Sequence, residues 1–66
     1  RELFPDLNEE ETAIVTLLQK VPDGLQINTL IVETNIPVHK MSALLFELEM
    51  KGVIRTLAGG VYRLII

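Results

Sequence analysis

The chain contains no cysteine, so neither a disulfide framework nor a thiolate zinc site can supplement its core. It lacks any apolar run approaching the roughly 20 residues needed to cross a bilayer, and it lacks a secretory signal pattern. Positive charge is also scarce: six lysines and arginines stand against nine aspartates and glutamates, for a net charge of −3. A free-standing DNA-binding domain is usually basic, because its affinity draws on counterion release from phosphates, and here the balance runs the other way. Together these absences fit a reducing, cytoplasmic setting. The chain opens at Arg1 without an initiator Met, which leads us to expect a piece of a longer protein.

What is present favours a folded unit. With 66 residues there is room for one domain, and a chain of this size buries only about 60% of the surface its unfolded form exposes. Hydrophobic residues make up 48% of the sequence and charged residues 23%, with a mean hydropathy of +0.36. Disorder requires low hydrophobicity and high net charge, and neither holds.

The pattern along the chain predicts the elements. Residues 1–7 contain Pro5 and read as an extended lead-in from an absent upstream domain, with residues 8–66 forming the domain proper. Asn8 followed by Glu9, Glu10 and Glu11 is a helix start: Asn caps free N–H groups, Glu11 holds the capping-box position, and three carboxylates complement the positive end of the dipole. Ile14, Leu17, Leu18 and Val21 then recur at helical spacing, and Pro22-Asp23-Gly24 stops the helix. Leu25 to Ile27 alternate like a very short strand. Asn28 is placed to cap a brief second helix, Thr29 to Thr34, with Leu30 and Ile31 inward. Asn35 falls where helices often end in a left-handed residue, and Ile36-Pro37 makes the turn. The third helix runs from Val38 to about Lys51, with Val38, Met41, Leu44, Leu45 and Leu48 on one stripe and Gly52 as its stop. Val53 to Leu57 and Val61 to Ile65 read as strands joined by Ala58-Gly59-Gly60. The expected fold is therefore mostly α with a small antiparallel sheet: three helices plus a β-hairpin wing, a winged helix-turn-helix, with the Leu25–Ile27 segment pairing with the hairpin as a third strand.

The combination of Pro37, Leu44-Leu45, Leu48-Glu49, Lys51-Gly52 and Gly59-Gly60-Val61-Tyr62 resembles the C-terminal winged-helix domain of the DprA/Smf family of DNA-processing proteins, over residues Asn8 to Leu64. Asn35 stands where that family commonly has glycine. The resemblance implies a parent protein acting in natural transformation, one that binds incoming single-stranded DNA and helps load the RecA recombinase onto it. It also implies that this chemistry sits in a Rossmann-like domain upstream, so none of that domain's DNA-binding residues carry over to this chain.

The third helix is the one a helix-turn-helix lays in the major groove. At about 100° per residue, its face opposite the apolar stripe holds His39, Ala43, Phe46 and Met50, with Glu47 at the margin. Base edges are read by Arg, Lys, Asn and Gln, and this face has none of them. Phe46 and Met50, one turn apart on the outer side, mark instead a surface for burial against something else. They either meet a protein partner or tuck beneath the wing or the Arg1–Leu7 arm. The alternative is a DNA-binding winged helix that touches the phosphate backbone through Lys40, Lys51, Arg55 and Arg63. We expect a protein partner or self-association, nucleic acid through the parent, and no membrane. His39 and Ser42 are three apart on one helix, but nucleophilic catalysis also needs an orienting acid and an oxyanion site. His39 has no second His or Cys and no carboxylate at i+3 or i+4, so neither catalysis, a metal nor another cofactor is expected. The Glu9–Glu11 run reads as a helix start rather than a cation site.

Overall fold

In a computed structural model, residues 7–65 are described. They form helix α1 (Glu9–Gln19), strand β1 (Leu25–Gln26), helix α2 (Ile27–Thr34), helix α3 (Val38–Met50) and strands β2 (Ile54–Leu57) and β3 (Val61–Leu64). The three strands make one antiparallel sheet in the order β1-β3-β2. The three helices pack on it, as expected for a winged helix. The extended lead-in expected over residues 1–7 falls mostly outside the described residues; Leu7 itself packs against the core.

Each helix end follows from its residues. At the start of α1 the Asn8 side chain accepts from the Glu11 N–H at 2.8 Å, and the Asn8 N–H donates back to Glu11 Oε1 at 3.1 Å, the reciprocal capping box. Helix α2 ends at Asn35, whose φ of 62° is left-handed and whose N–H donates to the Ile31 carbonyl at 2.8 Å. Helix α3 closes with a Schellman motif. Gly52, at φ 77°, donates to the Glu49 carbonyl and Val53 donates to the Leu48 carbonyl, both at 3.0 Å. That motif drops Val53 straight into the core beside Leu48.

Four boundaries differ from expectation: β2 begins at Ile54 rather than Val53, β3 ends at Leu64 rather than Ile65, and β1 and α2 meet earlier in the chain than expected. Helix α2 starts at Ile27 rather than Thr29, with Gln26 as its cap position and no side-chain cap, so Asn28 lies inside the first turn and does not cap. The cause is the sheet: Leu25 and Gln26 pair with Tyr62 and Val61, and the chain passes from this ladder directly into the helix. Ile27 then packs on the core as a helical residue rather than as the last residue of a strand. Gly24 makes this approach tolerable. A Cβ there would sit 2.6 Å from the Tyr62 carbonyl oxygen, and its φ is +93°; only glycine fits both.

The core joins Ile14, Val15 and Leu18 of α1, Leu30 of α2, Met41, Leu44, Leu45 and Leu48 of α3, and Ile36, Val53 and Ile54. Three expected positions move. Val21, expected to continue the α1 stripe, lies past the helix end at Gln19 and is only half-buried. Val38, counted in the α3 stripe, is 57% exposed; it is the first residue of the helix, off the stripe's centre, with no preceding turn to cover it. Val15, not counted in the stripe of α1, is buried, while Leu17 is only partly so. The buried face of α1 is rotated to Glu11, Ile14, Val15 and Leu18, because the Glu11 carboxylate is turned inward.

The hairpin closes this core. Ile54 is buried, Tyr62 and Leu64 pack against the core, and the Ile65 N–H donates to the Val53 carbonyl at 2.9 Å. At the tip, the Gln26 side-chain amide donates to the Gly59 carbonyl at 3.3 Å.

Candidate interaction face and wing

Because Met41, Leu44, Leu45 and Leu48 hold α3 by its inner stripe, the helical period turns His39, Ala43, Phe46 and Met50 outward, and all four are exposed. Phe46 is 65% and Met50 73% exposed, so the wing does not cover them; residues 1–6, which contain most of the other expected cover, lie outside the described residues. Within the described residues, no hydrogen bond joins His39 to Ser42, and no group of three or more His, Cys, Asp or Glu is placed to hold a metal ion. Among them, no helix is long and apolar enough to cross a membrane.

The two flanks of this face differ. On the α1 side, two lysines are held by neighbouring carboxylates of the α1 start. Lys40 Nζ lies 3.0 Å from Glu10 Oε2, an exposed pair. Lys51 Nζ donates to both oxygens of Glu11, at 3.1 and 3.3 Å, and here the carboxylate is 1% exposed. Burial pushes the Glu11 carboxyl up. The Asn8 N–H, the Lys51 ammonium and the Glu47 carboxyl beside it together outweigh burial, and its pKa lies below the ordinary 4.5. On the wing side, Thr56 donates to Glu49 Oε2 at 3.1 Å.

Of the four residues expected on a phosphate backbone, the structure brings two together. Arg55 and Arg63 pair directly across the β2–β3 ladder, both exposed, and among the described residues neither has a carboxylate partner. Strand alternation puts them on the sheet face opposite Ile54 and Thr56, which turn toward α3. Lys51, expected to join these arginines, points instead to Glu11, and Lys40 to Glu10. In the sequence Glu11 reads as a capping-box residue and one of three carboxylates at the helix start. Its second role, as counterion to a lysine 40 residues away, has no signal in local pattern.

A family model described as the DprA winged helix domain matches residues 3–60. The chain belongs to the DprA winged helix domain family. No curated protein matches it. The three helices and three-stranded antiparallel sheet of this DprA winged helix domain are the architecture its family implies. The distinctive feature lies on the helix that such a fold projects outward, where the side chains are apolar rather than base-reading.

Proposed function

We propose that this DprA winged helix domain is an accessory module of a DNA-processing protein, acting by protein–protein contact or self-association through the outer face of α3. The parent's work on incoming single-stranded DNA and recombinase loading is assigned on family grounds. The observation that carries the reading is the exposure of Phe46 and Met50 on a face with no base-reading donor. The engagement of Lys40 and Lys51 by α1 carboxylates supports it, since both cations are already neutralised. Neither catalysis nor a cofactor is part of this role.

A second reading keeps the wing. Arg55 and Arg63 stand side by side without a carboxylate partner among the described residues, and they fit a secondary phosphate contact. Fluorescence anisotropy of labelled single- and double-stranded oligonucleotides, titrated at low and near-physiological salt, separates the two. A protein-contact module leaves the oligonucleotides unbound at near-physiological salt. A wing contact by two arginines gives weak binding whose log K falls with log salt at a slope no steeper than about −2, and replacing both arginines by alanine abolishes it. Tight, steeply salt-dependent binding that survives this double replacement would refute both readings.

A further inference from the structure

The two faces of the sheet differ in cover. On the inner face Ile54 is buried, and Tyr62 and Leu64 pack against the helical core. Strand alternation places Arg55 and Leu57 of β2, and Val61 and Arg63 of β3, on the outer face. Ile65 joins them, because its N–H donates to the Val53 carbonyl and carries the ladder one residue further. Both arginines are exposed, Leu57 and Val61 are only half-buried, and Ile65 is 44% exposed. The outer face therefore runs in rows: Leu57 beside Val61, then Arg55 beside Arg63, then Ile65. Successive rows are two residues, or about 7 Å, apart.

The middle row is a like-charge pair. Arg55 and Arg63 are direct cross-strand partners, an arrangement that repels, and among the described residues neither has a carboxylate. One carboxylate set between them relieves this, because each guanidinium can donate to one of its two oxygens. The apolar rows set the rest of the ligand. In an extended chain, alternate side chains point the same way and lie about 7 Å apart, which is the spacing of the rows. We infer that this face docks an extended acidic segment of another protein, with a carboxylate on the arginine pair and apolar side chains two residues to either side.

The same rows disfavour nucleic acid. Bases bind a sheet face by stacking on aromatic rings, whereas Tyr62 turns inward to the core and Leu57, Val61 and Ile65 carry no ring. A phosphate backbone repeats its charge along its length, but here one basic row is bounded by apolar ones, on a chain of net charge −3. A peptide offers both the single carboxylate and the apolar flanks. The three rows span only about 14 Å, so the contact falls among the small, transient interfaces. The inference does not rest on the α3 face; it gives the wing arginines a carboxylate in place of a phosphate.

A random library of short linear peptides displayed on phage, selected on the wild-type chain and counter-selected on the Arg55→Ala/Arg63→Ala double variant, tests this. Recovered sequences carry Asp or Glu with apolar residues two positions away on both sides. A fluorescein-labelled peptide of that consensus is then titrated by anisotropy. Its affinity falls by about tenfold in each single alanine variant, and again when its carboxylate is replaced by an amide. Arg55→Lys and Arg63→Lys keep the charge without the planar fork and also weaken it. Ile65→Ser weakens the same peptide, whereas Phe46→Glu leaves it unchanged. Circular dichroism of each variant confirms that it is folded. The inference is overturned if nothing is enriched over the double variant, if the recovered peptides lack carboxylates, or if Phe46→Glu abolishes their binding. A single-stranded oligonucleotide that displaces the peptide at near-physiological salt, and is itself lost in the double variant, gives the arginines to phosphate. That outcome overturns the acidic segment and leaves the α3 reading standing.

Discussion

The inner and outer faces of α3 carry side chains of the same kind and meet opposite fates. Met41, Leu45 and Leu48 are at most 1% exposed, whereas Phe46 and Met50 are more than half exposed on the same helix. The α1 start repeats the contrast in charge: Glu11 is buried and bonded to the part-exposed Lys51, and one residue away Glu10 meets Lys40 in solvent. Residue type therefore does not decide what stabilises this domain. Position relative to the α1–sheet layer does, and the outer set stays exposed among the described residues.

Substitutions should separate the two faces by stability. Leu45→Ala removes a fully buried side chain from the middle of the core, and urea denaturation should show a loss of about 2–5 kcal/mol. For a chain this small, that approaches its whole stability. Lys51→Ala should follow, at about 1–3 kcal/mol, because it takes the ammonium away from the buried Glu11 carboxylate. The pair also sets a pH signature. With the folded pKa of Glu11 held below 4.5, its contribution is full above that value and is lost as pH falls through the folded pKa. Denaturation midpoints measured between neutral and acid pH should therefore fall more steeply in the wild type than in Glu11→Gln. At the small end, Phe46→Ser and Lys40→Ala should each change stability by less than about 0.5 kcal/mol. A large loss at Phe46 would erase the contrast, since it would make the outer face part of the fold.

Much of this was legible in the sequence, and what was not has a common cause. Asn8 with Glu11 declared a capping box, Asn35 a left-handed helix end and Gly52 a stop; each is local chemistry that the structure repeats. The outward set on α3 followed from the helical period alone. The misplacements arose where tertiary partners intervene. Asn28 lost the cap because β1 pairs with β3 and hands the chain into α2 two residues early. Val15 replaced Leu17 at the centre of the α1 face because Glu11 turns inward to Lys51, and Lys51 left the wing arginines for the same bond. Val38 had the right residue type and the wrong end of the helix.

The strand order β1-β3-β2 has a consequence for biosynthesis. In the sheet β1 and β2 do not pair with each other; each pairs with β3, which follows both in the chain. On the ribosome the helices can gather their apolar stripes, but neither ladder can begin until Val61–Leu64 has emerged. Ile54 and Leu25 must wait unpaired until then. A nascent chain halted at Gly60 would hold both outer strands and no sheet.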